Sequence, residues 1–504
     1  MKHQELARKA THWVAAHRER AADDYWKLRY HVTPPMHWMN DPNGFCFYRG
    51  EYHLFYQYHP YSAYWDDIHW GHVKSADLVF WTEMPIALAP SEDYDRDGCF
   101  SGSAIEKDGL LFLMYTGNRW TGGNRDTDLE QAQCLAISAD GIRFDKWSEN
   151  PVIRKAPDGD IHPYHFRDPK VWRHGDQFYC VLGSRTREHV GQLLLYVSAD
   201  LMNWEFIGIP AQGSDPDRDG YMWECPDLFR LDGQDVLVMS PQGVKPTGDK
   251  FLNLHQAGYM LGELDYASGK FQHGPFEMLD YGFDFYAPQT MEDGQGRRIM
   301  MAWMAMWESS MPERDRHWAG AMTLPRQLSL EEGQIRCRPI PELEKLRGGL
   351  TAYDDIEVSG DVRLDGVFGD GYELELLIDA SGAAVAGVAL RVDEVAGEET
   401  VISFRPSEQT VTLNREKSGS GPGGIRKAPV RSEDGLLQLR LFVDRSSVEA
   451  FLQDGEKTMT ARIYPGERST GIRFFAEGTM KIVRLRKWDL QRSVGAAEGV
   501  VHGE

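Results

Sequence analysis

Three copies of one short pattern decide the fold: SADLVFW at 75–81, SADGIRF at 138–144 and SADLMNW at 198–204. Each copy begins with Ser-Ala-Asp and carries an aromatic residue six positions after the serine. The serines are 63 and 60 residues apart, and a fixed period of this size indicates a repeat architecture. The chain is therefore predicted to contain several similar units.

Two further series of motifs run in phase with these copies. Short apolar runs follow glycine-containing turns, as in HLFYQYH from 53 and QFYCVLGS from 177, which is typical of a buried strand after a hairpin. Just upstream of such runs stand the marker residues Asp41, Ser101, Asp168, Glu224 and Tyr286, which are 60, 67, 56 and 62 residues apart. Five strand-rich units predict a five-bladed β-propeller with a central channel.

Prolines occupy the marker series at positions 42, 169, 226 and 288. Because proline removes a ladder hydrogen bond, it is tolerated on an edge strand, and the innermost strand of a propeller blade is such an edge. Proline also pushes the residue before it toward an extended conformation. We therefore expect Asp41 and Asp168 to lie in extended backbone at the mouths of their strands.

The pattern changes after about residue 340. Segments such as YELELLIDA from 372 and TMTARIYP from 458 alternate apolar and polar residues between short breaks, which predicts an antiparallel β-sandwich. The predicted fold is all-β, with a short amphipathic helix at the N-terminus. Its predicted parts are a helical segment at 1–30, a propeller at 31–338, a linker at 339–350, a sandwich at 351–492 and a tail at 493–504.

Composition excludes several functions. The net charge of −22, without a run of Lys or Arg, argues against nucleic acid or an anionic membrane as a partner. No stretch approaches the roughly 18 apolar residues of a membrane span, and the N-terminus lacks the apolar core of a secretory signal. We therefore expect a cytoplasmic protein that binds a small molecule, as a monomer or a homodimer.

Three carboxyl groups form the predicted reactive site. If the innermost strands converge on the axis, Asp41, Asp168 and Glu224 enter one funnel, where repulsion and desolvation keep at least one of them protonated near neutral pH. Cleavage of a glycosidic bond requires one carboxylic acid and one carboxylate in this arrangement. Aromatic and amide side chains near the same rims are suited to contact a sugar, namely Trp38, Asn40, Gln57, Trp65, Trp223 and Trp303.

Other uses of these residues are less favoured. His37, His69 and His72 lie near the acids in sequence, but their spacing repeats no metal-ligand motif, so neither a metal nor a cofactor is predicted. Cys225 has no accompanying Cys-His-Asn pattern and is predicted to be a packed thiol beside Glu224.

Seven motifs in order resemble glycoside hydrolase family 32, which includes invertases, sucrose-6-phosphate hydrolases, levanases and inulinases. They are WMNDPNG at 38–44, FSGS at 100–103, FRDP at 166–169, WECPD at 223–227, DFYAPQ at 284–289, LPRQLSL at 324–330 and FVDRSSVEAF at 442–451. The resemblance extends from about residue 30 to 490 and implies a five-bladed propeller followed by a β-sandwich.

The resemblance also implies a retaining β-fructofuranosidase. Asp41 would be the nucleophile that forms a fructosyl-enzyme, Glu224 the acid and then the base, and Asp168 the transition-state stabiliser. The matching fructose-pocket residues are Asn40, Gln57, Trp65, Phe100, Ser101, Arg167, Tyr286 and Trp303. We further expect the turn amides of Asn43 and Gly44 to lower the pKa of Asp41, and an apolar setting to raise that of Glu224.

The leaving group stays open at this point: glucose, glucose 6-phosphate or a fructan chain. A phosphorylated substrate requires cations at the rim, and Arg119 and Arg125 are candidates although they are also consistent with a solvated loop. The alternatives are an exo-acting fructanase or a fructosyltransferase on the same scaffold. An inverting arabinan-type glycosidase and a non-catalytic sugar-binding protein are the remaining ones.

Overall fold

Five sheets form a ring in the computed structural model, which describes residues 2–496. Blade I contains His37–Tyr48, Glu51–His59, His69–Ser75 and Trp81–Glu83; blade II contains Cys99–Lys107, Leu110–Trp120, Leu129–Ser138 and Asp145–Lys146. Blade III contains Phe166–His174, Gln177–Arg185, Gly191–Ser198 and Glu205–Gly208. Blade IV contains Met222–Leu231, Gln234–Gln242, Gly258–Asp265 and Lys270–His273, with Glu277–Met278 beside its third strand. Blade V contains Tyr286–Glu292, Arg298–Trp303, Arg326–Glu331 and Gln334–Pro339.

Hydrogen bonds between neighbouring blades close the ring around its axis. The first strand of each blade is innermost, and the bonds join Gly102 N to Asn43 Oδ1 (3.0 Å), Val171 N to Ser103 Oγ (3.0 Å), Lys170 Nζ to Asp227 Oδ2 (2.9 Å), Thr290 N to Asp227 Oδ2 (2.7 Å) and Phe45 N to Gln289 Oε1 (2.8 Å). Each bond links one blade to the next, and the last returns from blade V to blade I. The predicted five-bladed propeller is confirmed.

The Ser-Ala-Asp copies form the same turn in three blades. In each copy one aspartate oxygen accepts two backbone N–H groups of the turn and the serine hydroxyl. The backbone donors are Val79 and Phe80 to Asp77, Ile142 and Arg143 to Asp140, and Met202 and Asn203 to Asp200. The repeat thus encodes the connection from the third to the fourth strand of blades I to III.

The marker prolines lie on the innermost strands, as expected, but the backbone before them differs from the expectation. Asp168, Cys225 and Ala287 each precede a proline and have positive φ angles of 60°, 47° and 50°. The strand pairing shifts register beside each of these positions, as it does at Pro42. The expectation of extended backbone at Asp168 is therefore wrong, because a β-bulge there outweighs the preference imposed by proline.

The second domain is a β-sandwich, as predicted. Its strands are Arg347–Val362, Gly371–Asp379, Ala383–Asp393, Glu398–Arg405, Thr410–Lys417, Ile425–Pro429, Leu436–Asp444, Ser447–Leu452, Lys457–Arg462 and Gly471–Leu490. The last strand pairs with Ala383–Asp393 through its first half and with Gly371–Asp379 through its second half. It therefore joins both layers, and the apolar core lies between them.

Helices are few among the described residues. The helix Lys2–His17 buries Ala7, Ala10 and Val14 against blade I, and short helices form at Glu19–Ala22 and Pro216–Asp219. Single 3₁₀ turns occur at Asp93–Asp95, Pro312–Arg316, Pro341–Leu346 and Pro406–Glu408. Within residues 2–496 no helix is both long and apolar enough to cross a membrane.

Two short strands tie remote segments to blade I. Trp318–Ala319 pairs in parallel with the start of His37–Tyr48, and Val494–Ala496 pairs in parallel with Trp81–Glu83. The strand Arg347–Val362 begins inside the segment predicted to be a linker. The rest of the predicted tail, residues 497–504, lies outside the described residues.

Candidate active site

One cavity opens where the innermost strands begin. Nine of the eleven predicted site residues line it: Asn40, Asp41, Gln57, Trp65, Phe100, Ser101, Arg167, Asp168 and Glu224. They come from blades I to IV, so only the ring brings them together. The three carboxyl groups share this cavity and face the same end of the axis.

The Asp41 carboxyl group is fixed by its neighbours in blades I and II. Ser101 Oγ donates to its Oδ2 atom at 2.7 Å, and Asn40 Nδ2 donates to its Oδ1 atom at 3.2 Å. Gln57 Nε2 donates in turn to Ser101 Oγ at 2.8 Å. Burial, followed by the charge of Glu224, raises the pKa of Asp41 to about 6 in spite of these donors.

Asn43, in the turn that follows Asp41, forms hydrogen bonds to backbone groups and not to the Asp41 carboxyl group. The side chain of Asn43 donates to the carbonyl oxygen of Asp41 at 3.2 Å and accepts from Gly102 N at 3.0 Å. The expected lowering of the Asp41 pKa by the turn amides is therefore wrong, because the donors to this carboxyl group are side chains, and burial outweighs them.

Glu224 is the most strongly hydrogen-bonded of the three acids. Arg167 donates to its Oε1 atom from Nε at 3.2 Å and from Nη2 at 2.7 Å, while Tyr286 Oη (2.6 Å) and Gln242 Nε2 (2.8 Å) donate to Oε2. Burial raises the pKa of Glu224, but Arg167 and then Tyr286 outweigh it and hold the pKa below its ordinary value. The expected apolar setting and raised pKa are wrong, since Arg167 reaches Glu224 from blade III.

Asp168 is the third acid of the cavity. Its backbone N–H donates to Thr116 Oγ1 at 3.1 Å, and its Oδ2 atom is 3.6 Å from Arg167 Nε. Burial raises the pKa of Asp168 to about 8; Arg167 opposes this rise, whereas Glu224 and Asp41 add to it. At neutral pH a proton is thus retained within the group of acids.

Cys225 connects two of the carboxyl groups. Its backbone N–H donates to Asp168 Oδ2 at 3.3 Å, and its Sγ atom is 3.6 Å from Asp41 Oδ2. Burial, followed by the charge of Asp41, raises the pKa of the thiol well above its usual range. A protonated thiol is a poor nucleophile, which agrees with a packing role.

Two predicted pocket residues stand behind the cavity wall. Tyr286 is buried and reaches the site through its bond to Glu224. Trp303 is buried against Trp38 and Trp307, with ring centroids 5.7 and 5.1 Å away. Trp223, a further aromatic candidate, is buried and donates to the carbonyl of Asp219. These residues support the site without lining it.

Sequence reasoning missed part of the wall. Trp120, Leu129, Gln131, His165 and Trp307 also line the cavity. The rings of Trp120, Phe100, Trp65 and Trp307 form an aromatic wall, in which successive centroids are 6.3, 5.7 and 6.4 Å apart. Trp120 is the last residue of the second strand of blade II, and this strand ends at the mouth of the cavity. An aromatic residue at that position was the sequence signal that could have identified it.

The two arginine candidates differ in their surroundings. Arg125 lines the cavity. Arg119 instead donates to the carboxylates of Asp93 and Glu130 and faces a neighbouring surface cleft. Arg119 is therefore not a rim cation of this cavity, because two acids neutralise it. Among the described residues no group of His, Cys, Asp and Glu has the arrangement of a metal site.

Family models match both domains. Residues 31–339 match the glycosyl hydrolases family 32 N-terminal domain, and residues 342–489 match the glycosyl hydrolases family 32 C terminal. The chain belongs to glycoside hydrolase family 32. A sucrose-6-phosphate hydrolase of Zymomonas mobilis is 40% identical over 487 residues, which is 94% of each chain. A raffinose invertase of Escherichia coli is 40% identical and covers 90% of this chain and 92% of its own.

Two solved structures resemble this glycoside hydrolase over nearly its whole length. A variant of a Bombyx mori beta-fructofuranosidase in complex with sucrose superposes with a TM-score of 0.86 at 36% identity, covering 98% of this chain and 100% of that one. A sucrose-6-phosphate hydrolase from Lactobacillus gasseri has the same TM-score at 28% identity and covers 96% of both chains.

Proposed function

We propose that this family 32 enzyme is a β-fructofuranosidase that removes terminal β-D-fructofuranosyl residues with retention of configuration. Its substrates are sucrose, sucrose 6-phosphate or short fructo-oligosaccharides. The arrangement of Asp41, Asp168 and Glu224 in one cavity is the observation that carries the proposal. The curated relatives named above, which act on sucrose-type fructosides, support the substrate class.

Asp41 is the nucleophile in this mechanism. Bonds from Ser101 and Asn40 fix its two oxygens, so one of them is held for attack on the anomeric carbon of fructose. Attack forms a fructosyl ester and breaks the bond to the leaving oxygen, which takes a proton from Glu224. Glu224 then removes a proton from water as that water cleaves the ester.

The reactive protonation state is reached by redistributing protons among the three acids. In the free enzyme Arg167 favours the ionised form of Glu224, while burial favours protonated Asp41 and Asp168. The reactive form, with Asp41 ionised and Glu224 protonated, is one distribution of the protons within this coupled set. Asp168 and Arg167 hold fructose hydroxyls at the transition state, where the Asp168 carboxylate stabilises the developing positive charge.

Trapping the ester tests the mechanism. An aryl β-D-fructofuranoside with a good leaving group needs no acid, so Glu224→Gln releases one equivalent of aryl alcohol in a burst and then stalls as the fructosyl-enzyme. Intact-protein mass spectrometry detects the added fructosyl residue, and peptide mapping locates it on Asp41. Asp41→Asn gives no burst. Methanolysis by the native enzyme yields the methyl β-fructofuranoside, and formation of the α-anomer would rule out retention.

Transfer to a second sugar uses the same intermediate, so hydrolysis and transfer are separated by products. Rates on sucrose, sucrose 6-phosphate, inulin and levan, with free glucose and fructose measured separately, decide between them. Equal release of both sugars from sucrose indicates hydrolysis. A deficit of free fructose indicates transfer, and a preference for inulin or levan indicates an exo-acting fructanase.

A further inference from the structure

Arg125 presents a positive charge at the mouth of the active-site cavity. It lies in the exposed turn 121–128, between the strands Leu110–Trp120 and Leu129–Ser138 of blade II. Its guanidinium carbon is 5.5 Å from the ring centroid of Trp65 and 5.2 Å from that of Trp120. The side chain therefore rests on the aromatic wall, above the acids that face the fructosyl unit.

The charge of Arg125 is not neutralised by a carboxylate. Within residues 2–496 its guanidinium has no Asp or Glu oxygen within 4.0 Å and donates no hydrogen bond. Three nearby arginines behave differently, since Arg119 binds Asp93 and Glu130, Arg167 binds Glu224, and Arg185 binds Asp126. In a chain with a net charge of −22, an uncommitted cation at this place calls for an explanation.

The backbone that carries Arg125 is held in place. Thr121 N donates to Asp128 O at 2.8 Å, and Asp128 N donates to Asn124 O at 2.7 Å, which closes the turn. The next residue, Asp126, anchors the turn to blade III, because its carboxylate accepts from Arg185 Nη2 at 2.7 Å and its carbonyl bonds His165 Nε2 at 2.8 Å. Asp126 is thus engaged away from Arg125.

We propose that Arg125 is a specificity-determining residue that binds a phosphate group on the leaving hexose. The inference rests on the proposed function: if the three acids at the floor of the cavity contact fructose, the leaving group extends toward the mouth. It assigns the leaving group to the class of hexose 6-phosphates. The aromatic wall covers the face of the leaving hexose, and Arg125 supplies the charge.

The geometry suits an anion better than a neutral sugar. A guanidinium that lies over an indole uses its face for the cation–π contact and keeps its N–H donors in the plane of the group. A phosphate monoester accepts two such donors side by side through charge-assisted bonds. A hydroxyl group forms a weaker bond there, so the benefit is larger for the phosphorylated substrate.

Two matched variants test the assignment, Arg125→Gln at the cavity mouth and Arg119→Gln on the same blade, where the arginine is paired and outside the cavity. Native enzyme and both variants are assayed on sucrose and sucrose 6-phosphate. We expect Arg125→Gln to lower kcat/KM for sucrose 6-phosphate about tenfold to a hundredfold and for sucrose less than about threefold. Arg119→Gln changes the ratio of the two values less than about twofold.

Product inhibition gives a second readout. We expect glucose 6-phosphate to inhibit the native enzyme more strongly than glucose. Arg125→Gln should remove that difference, and 0.5 M NaCl should reduce it by screening. Equal losses on both sucrose substrates in Arg125→Gln would overturn the assignment, as would an unchanged ratio. A native enzyme that cleaves neither of these substrates nor a short fructo-oligosaccharide would instead refute the proposed function, so the two failures are distinguishable.

Discussion

Arg167 donates from Nε and Nη2 to a single oxygen of Glu224, at 3.2 and 2.7 Å, across the boundary between blades III and IV. The same guanidinium lies 3.6 Å from Asp168. One arginine therefore sets the charge of two of the three acids. Its removal must change both the orientation of Glu224 and the pH at which Glu224 carries a proton.

Arg167→Met is expected to lower kcat/KM at the optimum a hundredfold or more, because the fixed positions of Glu224 and Asp168 are lost. The pKa of Glu224 rises at the same time, since its burial is no longer opposed by a positive charge. A general acid acts below its pKa. Once the pKa of Glu224 exceeds that of Asp41, Glu224 sets the alkaline limb of the pH profile, which therefore moves to higher pH. Initial rates on sucrose across the pH range measure both effects.

The control is Arg173→Met, an exposed arginine on the same innermost strand of blade III. It leaves both the rate and the alkaline limb unchanged. A slow Arg167→Met enzyme whose alkaline limb stays in place would show that Arg167 acts through position alone and does not set the protonation of Glu224.

Ser101→Ala is expected to move the alkaline limb of the pH profile. Burial raises the pKa of Asp41 to about 6, and the 2.7 Å bond from Ser101 Oγ restrains that rise. Because this pKa lies above that of Glu224, the form with ionised Asp41 and protonated Glu224 is lost above the pKa of Asp41. Without the bond the pKa of Asp41 increases further, so the alkaline limb moves up by about one pH unit. Profiles of kcat/KM between about pH 4 and 8 detect the shift.

Ser103→Ala is the matched control, because Ser103 Oγ accepts from Val171 N and contacts no carboxyl group. Its alkaline limb stays with that of the native enzyme. Circular dichroism at each pH separates titration from unfolding. An unmoved limb in Ser101→Ala would mean that the alkaline limb reports a group other than Asp41.

Much of the fold and of the site could be predicted from local features of the sequence. The Ser-Ala-Asp turn and the marker prolines are local features, so their spacing was enough to count the blades and to place Asp41, Asp168 and Glu224 around one axis. The protonation of these acids could not be predicted in this way. Arg167 is 57 residues from Glu224 in sequence, and its contact exists only because two blades are adjacent. Likewise, the aromatic wall combines Trp307 with residues of blades I and II.

Arg326→Met is expected to destabilise the junction between the propeller and the sandwich. Arg326 is fully buried and donates to Asp280 Oδ2 at 3.1 Å and to Glu449 Oε2 at 2.6 Å. Its loss leaves the buried Asp280 carboxylate without its cation and the buried Glu449 carboxylate with His31 alone, at a cost of about 3–5 kcal/mol. Denaturant unfolding followed by tryptophan fluorescence measures the loss.

Arg338→Met is the corresponding control at the surface. Arg338 pairs with Glu331 and Asp454, but the side chains of these acids are 40% and 57% exposed, so the expected loss is below about 1 kcal/mol. A cost for Arg326→Met as small as that of the control would show that water or relaxation compensates the buried acids. The network would then not hold the two domains together.

His31 makes the stability of the same junction depend on pH. It lies buried between two sandwich acids, with Nδ1 2.9 Å from Asp444 Oδ2 and Nε2 2.9 Å from Glu449 Oε1. Burial lowers the pKa of His31, but the two carboxylates outweigh it, and the net shift is upward from 6.5. The ion pairs therefore contribute fully below about pH 6.5, and their contribution is lost as the pH rises through the higher pKa of the folded state.

His31→Gln keeps neutral hydrogen bonds and removes the charge. The difference in free energy of unfolding between native enzyme and variant is expected to be largest near pH 6 and to decrease toward about pH 9. Other titrating groups, such as His53 with its lowered pKa, are present in both proteins and cancel in that difference. Calorimetric unfolding across this range provides the measurement. A difference that stays constant with pH would mean that His31 is neutral in the folded protein across this range.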